Sequence, residues 1–300
     1  MEIKDLIIIG AGPGGVTAAI YAKRAGLNIA IFEKNIIGGA VVNAFEIENY
    51  PGVGKIVGSD LAMNLMNELD EFEIEIHYSE ITRIVKNEDT FALYDNEGNE
   101  FFSKKILLAL GTKPKKLGIK EEDMLFGRGI SYCATCDGAF YKGKDVLVVG
   151  GGNSALTEAT YLTNICRTVY IMTRHELKGD KKEIDRFLSK PNAKSLEFKQ
   201  IKSIYANPKV EKVTIFDTND NSKEETIDVS GVFVYVGQIP QTEFVKDLID
   251  LDARGFIKVD SHFETSTKGV FAIGDCIIKD VRQIATAVGD AATAMHYIED

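Results

Sequence analysis

The sequence has no tryptophan, only four cysteines in 300 residues, and no long apolar run. A membrane helix needs about 18 consecutive apolar residues. The apolar stretches here, such as Leu6 to Ile9 and Val146 to Val149, end at a glycine far short of that. Four cysteines are too few for a disulfide scaffold, and two of them stand alone. A soluble cytoplasmic protein of a reducing compartment is expected. A cation excess is also lacking: Lys plus Arg is 35, Asp plus Glu is 45, and the formal net charge is −10. Such a surface repels phosphate backbones and anionic lipid, so neither nucleic acid nor membrane is an expected partner. The N-terminus carries Glu2 and Asp5 and passes straight into a strand pattern, which is not the start of a signal peptide.

What is present is the composition of a folded protein, with 45% hydrophobic and 27% charged residues. At about 150 residues per domain the length suggests two domains. The chain also echoes itself. The apolar run Asp5 to Ile9 ends in Gly10-Ala-Gly12-Pro-Gly14-Gly15, then a helical pattern, then a strand pattern over Asn28 to Phe32. The run Asp145 to Val149 ends in Gly150-Gly-Gly152-Asn153-Ser154-Ala155, again followed by a helix and a strand over Thr168 to Met172. Repeated βαβ units predict α/β layers with parallel sheets. Shorter antiparallel strands are expected near Ile74 to His77, Phe91 to Tyr94, Val213 to Phe216 and Thr226 to Val229. Turns are expected at Asn96 to Gly98 and Asn219 to Asn221, and a last helix over Gln283 to Ile298.

Gly10-x-Gly12-x-x-Gly15 between a strand and a helix is a dinucleotide fingerprint. The first glycine permits the turn, the second lets the backbone approach a pyrophosphate, and the third lets helix and strand pack closely. The helix start offers N–H groups and a positive dipole end. Glu33 lies about 20 residues on, where a carboxylate holds ribose hydroxyls. The second turn has alanine in third place, and the position matching Glu33 is Thr173, followed by Arg174 and His175. An acid there favours NAD, whereas a basic residue accommodates the 2′-phosphate of NADP. NADPH is therefore favoured and NADH stays open. Two dinucleotide folds in one chain suggest a flavin in one and a nicotinamide hydride delivered by the other.

Cys133-Ala-Thr-Cys136-Asp137 carries the sharpest chemistry. A CxxC pair can close a disulfide across a helical turn and activate one thiol for exchange. Asp137 could serve as proton donor to a leaving thiolate. The competing reading is half of a zinc site, but Cys166 and Cys276 are isolated and no histidine pair has ligand spacing. No metal is expected. Cys166 falls in a helical apolar pattern and reads as core, while Cys276 follows Gly274-Asp275 and could lie near a cofactor.

Taken in order, the first glycine turn, Glu48-Asn49-Tyr-Pro-Gly52, Cys133 to Gly138, the second glycine turn and Gly274-Asp275-Cys276 resemble the low-molecular-weight thioredoxin reductases of bacteria and archaea. The likeness runs nearly end to end. It implies two Rossmann-like domains, the second inserted in the first. One binds FAD over 1–113 and 243–300, and the other binds NAD(P) and carries the CxxC over 114–242. By motif, Gly10, Gly12, Gly14, Gly15, Glu33, Lys34, Gly38, Gly39, Asn49, Asp275, Arg282 and Gln283 would serve FAD. Gly150, Gly152, Asn153, Ser154, Ala155, Arg174 and His175 would serve NAD(P)H. Cys133, Cys136 and Asp137 would be the redox disulfide and its acid. The resemblance implies a homodimeric enzyme that passes electrons from NADPH through FAD and the disulfide to thioredoxin.

There are departures. The family's NADPH clamp reads His-Arg-Arg-x-x-x-Arg, and here the last arginine falls on Gly179. NADH, ferredoxin or another dithiol partner are the alternatives within the fold. A zinc-bound or redox-sensing Rossmann protein is the alternative outside enzymology. A peroxiredoxin-linked reductase would need a further N-terminal domain, and Met1 sits four residues before the first strand pattern.

Overall fold

The structure is a computed structural model and describes residues 2–44 and 47–299. The chain forms two compact units, Met1–Lys113 with Ile239–Asp300, and Pro114–Gln238. The first unit opens with β1 (Ile3–Ile9), α1 (Pro13–Arg24), β2 (Ile29–Phe32), α2 (Gly58–Glu71) and β3 (Glu75–His77). It continues with β4 (Ile81–Lys86), β5 (Phe91–Asp95) and β6 (Glu100–Leu108). The chain then runs through β7 (Thr112–Pro114) into the second unit: α3 (Glu122–Leu125), β8 (Ile130–Ser131), α4 (Ala134–Asp137), β9 (Asp145–Val149), α5 (Asn153–Thr163), β10 (Thr168–Thr173) and α6 (Lys181–Leu188). After β11 (Ala193–Glu197) come β12 (Lys199–Ala206), β13 (Val210–Asp217), β14 (Asp220–Asp228) and β15 (Gly231–Val234). The return through β16 (Gln238–Pro240) leads to β17 (Val270–Ala272) and α7 (Ile284–Ile298) in the first unit.

The first sheet runs β3-β2-β1-β6-β5-β4, with β17 also on β6. One edge of β6 is shared: β5 pairs antiparallel with its early residues and β17 parallel with Ile106 to Leu108. Leu6 and Ile8 pack with α1 and α7, while Ile7 and Ile9 pack with Phe32, Val270 and Ile257 on the other face. Both faces are covered, which is why β1 reads as an unbroken apolar run. The second unit repeats this with a parallel sheet β11-β10-β9-β15-β8. Val146 and Val148 face α5 and Phe187, and Leu147 and Val149 face the antiparallel sheet β12-β13-β14 through Val213 and Ile215.

Two expectations are corrected. The segment Glu75–His77 pairs parallel, not antiparallel, with β2. Helix α2 lies between the two strands and makes the crossover a parallel neighbour requires. The turn expected at Asn219 to Asn221 comes earlier, at Thr218 and Asn219. The Asp217 carboxylate accepts the Asn219 N–H at 2.9 Å, the bond of an Asx turn. The second unit ends at Gln238 and the first resumes at Ile239, within the stretch around Gly237 to Thr242 where the return is expected. Thr242 is buried, and its hydroxyl donates to the Gly255 carbonyl at 2.6 Å, which ties it to the first unit.

Candidate redox site and nucleotide turns

In the first unit, residues far apart in sequence are folded onto one turn. Gly10 has a positive φ of 106°, and a Cβ there would overlap the Ala109 carbonyl. Gly15 leaves no room either, since its Cβ would overlap the Gly10 carbonyl. Gly12 is different. It has an ordinary φ of −73°, and a Cβ on it would meet no protein atom within 4 Å. Neither conformation nor packing calls for glycine there, so its use is the close approach of something else to the backbone. No side chain caps the start of α1, which leaves its first N–H groups to a ligand.

Glu33 directly follows β2 and is buried, with its two carboxylate oxygens accepting the N–H groups of Ala11 and Asn35, both at 2.9 Å. Gly38 donates its N–H to the Ala11 carbonyl at 2.8 Å and has no space for a Cβ beside Ala62, so the Gly38-Gly39 loop docks on the first turn. Gly14 packs under the Ala287 carbonyl of α7. Lys34 points to Glu80, 2.8 Å away. Gln283 is the N-cap of α7 in a reciprocal capping box with Thr286, and it accepts the Asn49 amide at 3.0 Å.

Asp275 is inside, and its Oδ1 has no protein partner. Burial pushes its carboxyl above the ordinary range, against the pull of Arg282 and Lys279. Arg282 braces the same loop: its guanidinium donates to the carbonyls of Asp275 and Ile277 at 3.1 and 3.2 Å and lies over the Phe256 ring. A buried carboxylate oxygen without a partner, beside an uncapped helix start and an open glycine, fits the ribose, ribityl and phosphate groups of a dinucleotide such as FAD. Cys276 is core: it is fully buried, its thiol donates to the Ile273 carbonyl at 3.2 Å, and burial pushes it up to about 12.

The second unit repeats the turn with different support. Gly150 has a φ of 143°, and a Cβ would overlap the Tyr235 carbonyl. Gly152, like Gly12, has an ordinary φ of −91° and open space where a Cβ would be. Ala155 fills the third place and is buried. Gly152, Asn153 and Ser154 are exposed. Thr173, at the end of β10, has Arg174 and His175 exposed beside it. The following loop folds back over the turn: Lys178 N–H donates to the Gly151 carbonyl at 2.8 Å, and Asn153 and Asp180 exchange two hydrogen bonds. A Cβ on Gly179 would strike the side-chain ends of Leu156 and Asn153, so the clamp's last arginine would stand here only if both moved.

Cys133 and Cys136 form a disulfide with an S–S distance of 2.07 Å across the turn that opens α4. A pair closed on itself is the oxidised form that thiol–disulfide exchange requires. Ser131 accepts the Cys133 N–H at 3.1 Å and donates to the Asp137 carboxylate at 2.6 Å. Cys133 Sγ accepts the Cys136 N–H at 3.2 Å, the contact that steadies a thiolate once the bond opens. Burial pushes the Asp137 carboxyl above the ordinary range, and the Ser131 bond pulls the other way. A carboxyl shifted this way keeps its proton to higher pH than an ordinary aspartate, the direction that suits a proton donor to a departing thiolate. Cys166 is core, and burial pushes its thiol up to about 11. Sequence reasoning missed Ser131, Tyr235 and Asp290, which accepts the Gly274 N–H at 2.9 Å. None belongs to a short motif with a mechanism of its own.

Residues 4–291 match the family described as pyridine nucleotide-disulphide oxidoreductase. A thioredoxin reductase of Mycoplasma genitalium is 42% identical over 300 residues, covering 99% of this chain and 95% of that protein. One from Mycoplasma pneumoniae is 40% identical with the same coverage. Among solved structures, the thioredoxin reductase of Streptococcus pyogenes superposes with a TM-score of 0.92 at 40% identity, covering 99% of this chain and 97% of that one.

Proposed function

The chain belongs to the pyridine nucleotide-disulphide oxidoreductase family, and from that premise we propose that it is a thioredoxin-disulfide reductase using FAD and NAD(P)H. The observation that carries the reading is the closed Cys133–Cys136 disulfide beside a half-buried acid, in the same unit as an exposed, open glycine turn. FAD, when bound, supplies two-electron chemistry linking a nicotinamide hydride to a disulfide. Gly10, Gly12, Gly14, Gly15, Glu33, Gly38, Gly39, Asn49, Asp275, Arg282 and Gln283 are the residues that would hold it, with Lys34 at the rim. Gly150, Gly152, Asn153, Ser154, Ala155, Arg174 and His175 would seat the nicotinamide dinucleotide.

The chain's own redox work is exchange. Two electrons and two protons convert Cys133–Cys136 to a dithiol. One thiolate attacks a sulfur of the oxidised partner and expels the other partner sulfur, and the second cysteine then displaces the partner and restores the disulfide. Asp137 supplies and recovers a proton in these steps. Thioredoxin as that partner is supported by the named relatives. Arg174 and His175 support NADPH, and the crowded Gly179 keeps NADH in play. The resemblance supports a homodimer acting in the cytoplasm. Among the described residues no helix is long and apolar enough to cross a membrane.

Two experiments test the reading. Cys136→Ser should retain the flavin and lose thioredoxin reduction; retained turnover would sink it. Anaerobic titration of the flavin band with NADPH and, separately, NADH should show bleaching by at least one. A yellow protein indifferent to both would disqualify the second glycine turn as the hydride port.

A further inference from the structure

In the second sheet β9, β15 and β8 are neighbours and all parallel. The loops leaving the carboxyl ends of β9 and β8 are the nucleotide turn and the redox turn. Tyr235 follows the last residue of β15 and stands between them. Its backbone belongs to the nucleotide turn: its N–H donates to the Val149 carbonyl at 2.8 Å, and its own carbonyl occupies the space a Cβ on Gly150 would need. Its side chain belongs to the redox turn: the hydroxyl accepts the Ala134 N–H at 2.5 Å. Ala134 is fully buried, and this N–H is the first of α4, so the helix itself offers it no partner.

We propose that Tyr235 is a positioning residue for the redox reaction, a rigid spacer that holds the Cys133–Cys136 turn in register with the nucleotide turn. This rests on the disulfide-reductase reading above. The hydroxyl is suited to the task. Burial, with the Glu158 carboxyl adding to it, holds the phenol protonated throughout the working pH range, so the anchor cannot titrate away. Together with Ser131 at the Cys133 N–H, it places a side-chain oxygen on each of the two successive N–H groups that start the turn. A turn pinned at both keeps the two sulfurs within closing distance after reduction. Releasing one pin lowers the effective concentration of one thiol at the other and makes the disulfide easier to reduce.

The test is Tyr235→Phe, which keeps the ring and removes the acceptor. The flavin-loaded variant is equilibrated in dithiothreitol redox buffers, and the Cys133/Cys136 dithiol fraction is read by alkylation and mass. The equilibrium constant should move toward dithiol at least tenfold, about 30 mV for a two-electron couple. Exchange of the Ala134 amide hydrogen should speed up by a similar factor. Thioredoxin turnover should fall about tenfold through kcat. If the Phe variant comes out colourless, Tyr235→Leu decides instead. It removes the acceptor with a smaller apolar side chain, and the same shift is expected. A wild-type equilibrium constant in the flavin-bearing variant overturns the positioning role. Cys136→Ser run alongside separates the two questions. If it abolishes turnover while Tyr235→Phe titrates like wild type, only the role of Tyr235 falls; if it does not, the disulfide reading falls as well.

Discussion

The two glycine turns share one geometry and differ in what surrounds them. In the first unit the turn is enclosed: Ala11, Gly14 and Gly15 are buried, Glu33 clamps the turn from below, and α7 closes over Gly14. In the second unit Gly152, Asn153 and Ser154 are open to solvent, and the brace is an exposed loop through Lys178 and Asp180. An enclosed cradle suits a resident cofactor, whose burial strengthens every polar contact made to it. An open cradle suits a substrate that must leave on every cycle. On the proposed function, one motif would serve both retention and exchange, with the shell around it setting the difference.

The sharpest way to break the comparison is the third position. Gly15→Ala should destabilise the protein by about 3 kcal/mol or more and yield colourless material, because its Cβ collides with backbone. Its mirror, Ala155→Gly in the second turn, should cost only about 1 kcal/mol, the helix penalty of glycine. Chemical denaturation of both variants measures this.

Next is the acid. Glu33→Gln weakens two buried charge-assisted bonds and should cost roughly 2 kcal/mol in the same assay. Thr173→Glu imposes the first unit's acid on the second. It should lower the kcat/KM ratio of NADPH to NADH about tenfold, since a carboxylate there binds ribose hydroxyls and repels a 2′-phosphate.

The second glycines test the open space directly. Gly12→Ala and Gly152→Ala should leave the melting temperature of the ligand-free protein nearly unchanged. The first should weaken FAD binding and the second NAD(P)H binding, each about tenfold by titration, or about 1.4 kcal/mol.

The smallest effect concerns pH. Asp275 has its carboxyl raised by burial, so it favours the folded state below the ordinary carboxylate range, and that contribution is lost as pH rises through its raised value. Asp275→Asn should flatten this fall, leaving the flavin-free protein more stable at neutral pH, while FAD affinity drops. Thermal melts across pH with and without FAD show both.

Much of the architecture was legible because periodicity and glycine punctuation are local signals. Asp145 to Val149 reads as a buried strand and is one, and the final helix runs Ile284–Ile298 against an expected Gln283 to Ile298. Helix α2 was not among the expected elements, although Leu61, Leu65 and Leu69 recur at helical spacing. Missing it also reversed the sense of β3. Within the site, the cysteines and glycines announce themselves by spacing. Ser131, Tyr235 and Asp290 act through hydrogen bonds to backbone from other strands and helices, and no spacing encodes that.

Sequence alone settled which chemistry the chain can carry. A CxxC with its acid and two glycine turns are short-range patterns, each constrained by covalent geometry over a few residues. Only the tertiary structure decided how each is used. It brings Asn49 to Gln283 and Gly14 to α7, half-buries Asp275 and Asp137, and leaves the second turn open. Burial and long-range hydrogen bonds are properties of neighbours in space, and those exist only once the chain has closed around them.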